Sequence, residues 1–514
     1  MSLICVGERK DGGKDDFMRT REQYIEGLRK MKRNLYFNGN KIDRDDEEQL
    51  PALNVMGFTF DAPNIPEFKE LCTTKSHLTG ETINRFCHIH QSPQDLHNKQ
   101  DMTRTLCRTG RMCIQRCMGT DAINAVNAAS FEADKQNNGN TQYHKNFLKW
   151  LENFQRNDLV GSCAQTDMKG ERLKRPAEQT DPDMYLRVVE KKSDGIVVRG
   201  CKLHISEASI ADEIMVIPTR ILGPDEQQYA VAFAVPADYD GVKQVVHIHR
   251  TRKRTHFKTG NPDIGYTDSY VIFDDVFVPW ERVFLCGEYV HGGALAMLFA
   301  LFHRHSYSGC KPAIGDMLLG LASMAGKMNG ISKVHHVREI LSKIIMITEL
   351  GYAAGFTASA KGKPEIYVPG IGQMPYGPGS YIPHSIYANV GRCLTGEAVF
   401  DEQEMLCNIA GGLPSTFPYE ADLANPELKP LLEKYLKRNP KIPIIDQLKF
   451  WLLFAEVTCS SNTGFMCYGS YHGGGSPIME QIAITMQYDT KLREHMINSA
   501  AGIEKLDYSR IAKI

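Results

Sequence analysis

The sequence predicts an α+β protein of several domains, in which a central β domain lies between two helical domains. Apolar residues at helical spacing dominate from Thr20 to Leu159, and β-branched residues alternate with polar ones from Val160 to Val283. Helical spacing returns after Glu288. A chain of 514 residues is also too long for one simple core. We therefore expect a flexible extension at 1–18, a helical domain at 19–158, a β domain at 159–288 and a helical domain at 289–514.

The N-terminal domain contains clear signals for helices. Thr20 and Gln23 have the spacing of a capping box, in which each side chain bonds the backbone N–H of the other residue. Helix-forming residues with apolar positions at helical spacing extend from Arg111 to Ala129, and a further helix is expected from Lys145 to Phe154.

The central domain contains hairpin signals. Asp194-Gly195 lies between two runs rich in β-branched residues, and this dipeptide favours the tight turn that joins antiparallel strands. Asp240-Gly241 gives a similar turn. The sequence therefore predicts a mainly antiparallel β domain.

The C-terminal domain is predicted to be helical. Long helices are expected at Gly315–Asn329, His336–Ala360 and Ile444–Thr458. Residues 361–383 are rich in Gly and Pro and predict an irregular connection. Pro430 suits the first turn of a short helix at 431–437.

Composition and charge limit the class of protein. Hydrophobic residues make up 42% and charged residues 24%, which is ordinary for a globular protein. The net charge is -1 and the pI is about 7.0, so nothing global favours nucleic acid or an anionic membrane. The apolar run Ala294–Phe302 is far shorter than the roughly 18 residues of a membrane helix. The N-terminus lacks a signal-peptide pattern, so we expect a cytoplasmic protein without membrane or nucleic-acid partners.

Two short motifs carry candidate metal ligands. On the predicted helix, Cys113 and Cys117 are four residues apart, which would place both thiols on one face. Farther along, His303, Tyr307 and Cys310 also share a helical face. Each motif alone is better explained by a packed core helix. Together they offer three thiols and one imidazole, which zinc or an iron–sulfur cluster would accept.

Other segments could bind a ligand. Gln165–Arg172 mixes hydrogen-bonding and basic side chains around a glycine, while Asn408–Leu413 and His472–Pro477 contain paired glycines that let a ligand approach the backbone. Each is also explained by an ordinary turn or helix end. The basic run His247–His256 could contact phosphates, although a solvated strand explains it better. The sequence contains no G-x-G-x-x-G and no P-loop.

These motifs carry a resemblance to a known family. The stretches TTKSHLTGETINRFCHIHQSPQDL, CIQRCMGTDAINAV, DPDMYLRVVEKKSDGIVVRG, HRHSYSGCK, IAGGL and HGGGSP resemble the 4-hydroxybutyryl-CoA dehydratase family. This family lies within a wider group that includes the flavin-dependent 4-hydroxyphenylacetate 3-hydroxylases. The similarity runs from Thr20 to the C-terminus. It implies an acyl-CoA dehydrogenase-like fold with a C-terminal helical bundle, assembled as a homotetramer.

The resemblance also implies cofactors and their residues. It implies a [4Fe-4S] cluster held by Cys113, Cys117, His303 and Cys310. It implies FAD held within the chain by a set of polar residues and glycines, namely Gln115, Gln165, Thr166, Asp167, Lys169, Gly170, Arg172, His204, Ser206 and Lys311. A neighbouring subunit would reach the same FAD with Asn408, Ala410, Gly411 and Gly412.

The implied reaction is a radical dehydration of 4-hydroxybutyryl-CoA to crotonyl-CoA, accompanied by isomerisation of vinylacetyl-CoA. His303 is the candidate base, and Tyr307 and Asp268 are the other candidate catalytic residues. Asp268 and Ser206 replace a glutamate and a threonine of the family and keep the functional group. Gly469 replaces a glutamate and does not. The alternatives are a dehydratase for a related acyl-CoA, a reduced-flavin aromatic monooxygenase, a protein with fold and cluster but without this turnover, and a zinc or nucleic-acid-binding protein.

Overall fold

The N-terminal part of the chain is helical but also contains short strands. The computed structural model describes residues 18–257 and 264–512, so the predicted extension at 1–18 lies, apart from Met18, outside the described residues. Six helices are α1 Arg21–Arg29, α2 Leu50–Asp61, α3 Pro66–Cys72, α4 Pro93–Gly110, α5 Cys117–Gln136 and α6 Tyr143–Arg156. The strands are β1 Leu35–Phe37, β2 Asn40–Ile42, β3 Thr73–Lys75 and β4 Thr82–Asn84. The predicted capping box is confirmed. At the start of α1, the side chains of Thr20 and Gln23 each accept a hydrogen bond from the backbone N–H of the other residue.

One sequence prediction about this part was wrong. The expected helix Arg111–Ala129 begins only at Cys117, because α4 ends at Gly110 and the residues between form a loop. Arg111 and Gln115 have positive φ angles of 58° and 57°, which no α-helix tolerates. Cys113 therefore lies on a loop, and it does not share a helical face with Cys117.

The central part forms two packed sheets. Its strands are β5 Gly161–Ala164, β6 Arg187–Lys191, β7 Gly195–Ser206, β8 Glu213–Val216, β9 Val231–Pro236, β10 Val242–Arg250, β11 Gly265–Pro279 and β12 Val283–Cys286. One sheet has the order β2-β1-β10-β11-β7-β6 and the other β12-β9-β8-β5. The β6–β7 hairpin turns at the predicted Asp194-Gly195. Pairing is antiparallel except for β1 with β10 and β5 with β8, which are parallel.

The C-terminal part is a helical bundle. Its helices are α7 Tyr289–Met328, α8 His335–Ala360, α9 Ser385–Glu397, α10 Val399–Ala410, α11 Glu420–Ala424, α12 Lys429–Leu436, α13 Ile444–Thr458, α14 Ser461–His472, α15 Pro477–Gln487, α16 Thr490–Ala500 and α17 Tyr508–Ile511. The irregular connection predicted at 361–383 contains a small hairpin, β13 Glu365–Val368 with β14 Gly372–Pro375.

Helix α7 connects the cores of the molecule. Near its start, Leu295 and Phe302 belong to a large apolar core shared with α5, α6 and the sheets. Near its end, Leu318 and Leu321 belong to a second core formed with α8, α10 and α13. The segment from His303 to Cys310 lies between them, so the packing of α7 on both sides fixes its position.

Candidate functional site

A large cavity lies between the six-stranded sheet and the C-terminal helices. Its volume is about 1910 Å³. Residues of the loop at 111–116, of β7, β10 and β11, and of α7 and α14 line it. Most of the predicted site residues face this cavity, although they come from segments far apart in sequence.

One side of the cavity is the thiol wall, which we define as Cys113, Cys117, His303 and Cys310. All four residues line the cavity. The pKa of the Cys113 thiol lies well below its usual range, because three neighbouring thiols donate hydrogen bonds to it, those of Cys107, Cys117 and Cys310. The hydrogen bond to Cys113 raises the pKa of Cys117 and of Cys310. The wall is therefore a compact group of sulfurs beside one imidazole.

Cys107 is a fourth thiol that sequence analysis missed. It lies in the last turn of α4, is 1% exposed and packs in the same apolar cluster as the three cysteines of the thiol wall. Among the residues that the structure describes as lining the cavity, Cys107 is absent. Cys107 therefore contacts Cys113 on the side away from the cavity, while the three thiols of the wall face the cavity.

The imidazole of His303 is held through Nδ1, and within the described residues its Nε2 has no hydrogen-bond partner. Its Nδ1 lies 3.0 Å from Oδ2 of Asp121, a residue on α5 that is fully buried. Its ring makes an edge contact with Tyr307, with ring centroids 5.0 Å apart. The Tyr307 hydroxyl donates a hydrogen bond of 3.0 Å to the carbonyl of Gly469. Burial raises the pKa of Tyr307 well above its usual value, so Tyr307 keeps its proton.

Asp268 lies on β11 and also lines the cavity. Ser206 donates a hydrogen bond of 2.7 Å from its Oγ to Oδ1 of Asp268, and Nε2 of His249 lies 3.6 Å from Oδ2. The ring of His249 stacks on Phe465 with centroids 3.7 Å apart. A carboxylate is thus fixed in the cavity by a strand on each side of β11, since Ser206 belongs to β7 and His249 to β10.

Most residues predicted to bind FAD within the chain line this cavity, and two do not. The cavity-lining members are Gln115, Gln165, Thr166, Lys169, Arg172, His204, Ser206 and Lys311. Asp167 instead forms a buried ion pair of 2.9 Å with Lys202. A Cβ at Gly170 would lie 2.3 Å from Oε1 of Gln179, so this glycine allows a close contact behind the cavity.

The cavity has a cationic end near the predicted FAD loop. Lys169, Arg172, Arg175 and Arg220 line it there. Burial lowers the pKa of Lys169, and the charges of Arg172 and Arg220 lower it further. Such a cluster attracts an anionic group, and a pyrophosphate has suitable charge.

The segment Asn408–Gly412 lies elsewhere. It forms the end of α10 and the following turn, where Gly411 has a φ of 66°. Asn408, Gly411 and Gly412 are exposed. Within residues 18–257 and 264–512, no member of this segment lines the cavity. One chain therefore does not bring this segment to the other predicted site residues.

The basic run at 247–256 has a structural explanation. Its first half is part of β10, and His247 and His249 line the cavity. Its second half is anchored by Glu420, whose carboxylate accepts the backbone N–H groups of Thr255, His256 and Phe257. The pKa of Glu420 is lowered to about 2, because these hydrogen bonds outweigh burial.

The donor set of the thiol wall fits an iron–sulfur cluster. Three thiols and one imidazole face a common space, and thiolates are the usual ligands of such clusters. One group of possible metal ligands in the described chain has its donor atoms within 4.8 Å of one another, namely Cys117, Asp121 and His303. The cavity is also large enough for a dinucleotide, and the cationic side chains at one end suit its phosphates. Zinc remains chemically compatible with the same donors.

In the part of the chain that the structure describes, one helix has the length and composition of a membrane span. The best window of α8 has a mean hydropathy of 1.2, and 28% of that window is buried. The core helix of a globular protein has the same properties, so one such helix is weak support for a membrane. Here α8 packs against α4, α7 and α9.

Comparison with known proteins identifies the family. The family model described as 4-hydroxyphenylacetate 3-hydroxylase N terminal matches residues 20–285, and the corresponding C-terminal model matches residues 293–502. The chain therefore belongs to the 4-hydroxyphenylacetate 3-hydroxylase family of enzymes.

Within this family, the chain is similar to a dehydratase. It is 36% identical to the 4-hydroxybutyryl-CoA dehydratase/vinylacetyl-CoA-Delta-isomerase of Clostridium aminobutyricum, over 94% of this chain and 99% of that protein. It is 27% identical to the 4-hydroxyphenylacetate 3-monooxygenase oxygenase component of Thermus thermophilus, over 82% and 84%. The resemblance to the dehydratases that the sequence motifs indicated is confirmed.

Solved structures show the same fold. The structure of an oxygen-tolerant archaeal 4-hydroxybutyryl-CoA dehydratase from N. maritimus matches with a TM-score of 0.88 and 30% identity, covering 97% of this chain and 99% of that one. A 4-hydroxyphenylacetate 3-monooxygenase oxygenase component in complex with FAD matches with a TM-score of 0.78 and 23% identity, covering 94% and 98%. The predicted α+β multidomain fold class is confirmed.

Proposed function

We propose that this chain is a dehydratase that converts 4-hydroxybutyryl-CoA to crotonyl-CoA and isomerises vinylacetyl-CoA, using FAD and a [4Fe-4S] cluster. One observation carries the proposal. The thiol wall and the cavity-lining residues of the predicted FAD site face the same cavity. An aromatic monooxygenase of this fold would have no use for three thiols and an imidazole at that position.

The thiol wall would hold the cluster, and Gln165, Lys169, Arg172 and His204 would be among the residues that hold FAD. When bound, the cluster supplies a Lewis acid for a leaving hydroxyl group and the flavin supplies reversible one-electron chemistry. Asp167 and Gly170 would shape the FAD loop from behind rather than contact the ligand.

His303 is proposed both as a metal ligand and as the base that takes the α proton of the acyl-CoA. Nδ1 is occupied by Asp121, so both roles require the lone pair on Nε2. They therefore exclude one another at any moment. We propose that His303 takes the proton only while its Nε2 is not coordinated.

Tyr307 and Asp268 are proposed to form hydrogen bonds with the substrate hydroxyl group. Tyr307 stays protonated, so its hydroxyl can donate a hydrogen bond to the substrate in place of the Gly469 carbonyl. Asp268 is oriented by Ser206, lines the same cavity and can accept a hydrogen bond there. Both residues would thus contact a polar group of the substrate.

The proposed enzyme is a cytoplasmic homotetramer without membrane or nucleic-acid partners. In it, Asn408, Ala410, Gly411 and Gly412 would complete the FAD site of a neighbouring copy. Two observations support this assembly. Asn408, Gly411 and Gly412 are exposed in one chain, whereas Ala410 is buried beside them. Helices α8 and α15 carry exposed apolar side chains such as Leu350, Phe356, Ile478 and Met486.

The test is to purify the protein without oxygen, assay iron and flavin, and add 4-hydroxybutyryl-CoA. We expect about four irons and one FAD per chain, together with formation of crotonyl-CoA. Protein that stays free of iron and flavin after anaerobic reconstitution would contradict the proposal. Flavin without iron, with hydroxylation of a phenol, would instead indicate the monooxygenase. Zinc in place of iron would indicate a zinc protein.

A second candidate is a dehydratase for a related acyl-CoA, and Gly469 favours it. This position lines the cavity, and a Cβ there would have Phe465 at 3.9 Å as its nearest neighbour, so a larger side chain has room. We expect Gly469→Glu to change the relative rates with 4-hydroxybutyryl-CoA and with acyl-CoA esters that carry the hydroxyl group elsewhere. Equal relative rates in both proteins would show that position 469 does not select the substrate.

A further inference from the structure

A buried carboxylate lies directly behind the thiol wall. Asp121 follows Cys117 by one helical turn on α5 and is 0% exposed. Its Oδ1 accepts a hydrogen bond of 2.9 Å from Nζ of Lys99, and its Oδ2 lies 3.0 Å from Nδ1 of His303. Oγ of Ser306 lies 2.9 Å from both oxygens. Both oxygens of this carboxylate therefore have hydrogen-bond partners.

The charge of Asp121 is balanced within the protein. The ammonium group of Lys99 forms an ion pair of 2.9 Å with Oδ1 of Asp121, and both side chains are shielded from solvent. Lys99 is also fully buried and donates a second hydrogen bond, of 3.2 Å, to the carbonyl of Phe302. Asp121 is thus an ionised carboxylate with a fixed cation on one side and an imidazole on the other.

An ionised carboxylate can only accept hydrogen bonds, and this determines the tautomer of His303. The proton shared between Asp121 and Nδ1 must belong to Nδ1, so in the neutral ring Nε2 keeps its lone pair. His303 lines the cavity, whereas Asp121 is absent from the cavity lining in the described chain. The free lone pair is therefore the one available to a ligand in the cavity.

We propose that Asp121 is a positioning residue that fixes His303 in the Nδ1-protonated tautomer and keeps its Nε2 ready to bind metal. The consequence for metal binding rests on the proposed function, whereas the tautomer itself does not. Carboxylates that orient a ligating histidine in this way change metal affinity or activity by about 10–100-fold when they are removed.

Asp121 could instead be a metal ligand itself, since its oxygen lies within 4.8 Å of the donor atoms of Cys117 and His303. The geometry argues against this. Both oxygens already accept hydrogen bonds from Lys99, Ser306 and His303, and a metal would have to displace one of them. The three thiols and His303 face the cavity without such a loss.

The variant Asp121→Asn tests the tautomer. The carbonyl oxygen of the amide must face Lys99, because an ammonium group is only a donor. The NH₂ group then faces Nδ1 of His303 and donates to it. We therefore expect His303 to move its proton to Nε2 in Asp121→Asn. In the double variant Lys99→Met with Asp121→Asn, the amide is free to turn, and the Nδ1-protonated tautomer should return.

The measurement is ¹⁵N NMR of protein labelled in its histidine side chains, recorded before iron is loaded, with the His303 signals assigned by their loss in His303→Gln. Asp134→Asn is the matched control, because Asp134 lies on the same helix and bonds Thr141, Tyr143 and His144 instead. It should leave the His303 signals unchanged. A His303 that keeps its proton on Nδ1 in Asp121→Asn would overturn the proposal.

Iron binding gives a second readout. Pulsed EPR of the reduced, iron-loaded wild-type protein should show nitrogen coupling from His303. This coupling should be lost in Asp121→Asn and restored in the double variant, with iron affinity about 10–100-fold lower in the single variant. Coupling that persists in Asp121→Asn would overturn the positioning role. A wild-type protein that binds no cluster would remove the proposed function, while the NMR result would still decide the tautomer.

Discussion

The two halves of the predicted cofactor site differ in how the chain presents them. The thiol wall is brought together by one chain, because α5 and α7 pack against each other and place Cys117, His303 and Cys310 beside one cavity. The segment Asn408–Gly412 ends α10 and lies away from that cavity among the described residues. Proposed metal binding therefore depends on the interior of one chain, whereas proposed flavin binding also depends on a second copy.

Replacing a ligand of the thiol wall should have the largest effect on this comparison. Cys117→Ser removes a cavity-facing thiol, so we expect iron binding to fall by more than the 10–100-fold typical of an outer residue. Cys107→Ser is the matched control, because Cys107 is equally buried and lies behind the wall. Iron per chain in anaerobically reconstituted protein is the measurement. Equal iron loss in both variants would mean that Cys107 belongs to the ligand set.

A methyl group at Gly473 should have the next largest effect. Its Cβ would lie 1.5 Å from the hydroxyl oxygen of Tyr307 and 2.6 Å from the carbonyl of Gly469, so Tyr307 must move. A displacement of about 1 Å at a reacting group lowers turnover by about a hundredfold. We expect Gly473→Ala to keep its iron and lose activity in a turnover assay.

The control for this variant lies on the preceding helix. Gly464 is exposed on α14, and a Cβ there would meet no atom within 4 Å among the described residues. Gly464→Ala should therefore keep full activity. If Gly473→Ala is as active as Gly464→Ala, then Tyr307 does not take part in the reaction.

Local signals in the sequence predicted much of the fold. The capping box at Thr20 and the turn at Asp194-Gly195 act over a few residues, and both are confirmed. A similar signal was missed at Asn38-Gly39, whose φ angles of 48° and 80° turn the hairpin between β1 and β2. The break before Cys117 was missed because left-handed Arg111 and Gln115 carry side chains that are common in helices.

The site was predicted less completely, because residues that meet there are far apart along the chain. Asp121 continues the four-residue spacing of Cys113 and Cys117, and this spacing was a signal that could have drawn attention to it. Its contact with His303, however, spans 182 positions and depends on how α5 packs against α7. His249 and Phe465 also reach the site through a contact between distant segments, β10 and α14. Cys107 is near Cys113 in sequence, but the loop that brings the two thiols together was not predicted. Sequence spacing along one helix cannot specify such packing.

The smallest predicted effect tests the other half of the comparison. Asn408→Ala removes a side chain that is exposed in one chain but would contact FAD of a neighbouring copy. Loss of one hydrogen bond weakens binding by about tenfold, so we expect flavin affinity to fall by that factor with iron unchanged. Glu404→Ala, one turn earlier on the exposed face of α10, should leave flavin affinity unchanged.

Mixed oligomers test directly whether Asn408 acts across the interface. Arg172 lines the cavity of its own chain, whereas Asn408 is proposed to act across the interface. Oligomers that contain both Arg172→Ala chains and Asn408→Ala chains would then include some sites with both residues intact. Tight flavin binding should return at those sites, although neither variant alone shows it. If mixing restores no tight sites, Asn408 does not complete the site of a neighbouring copy, and the division between the two halves of the site is wrong.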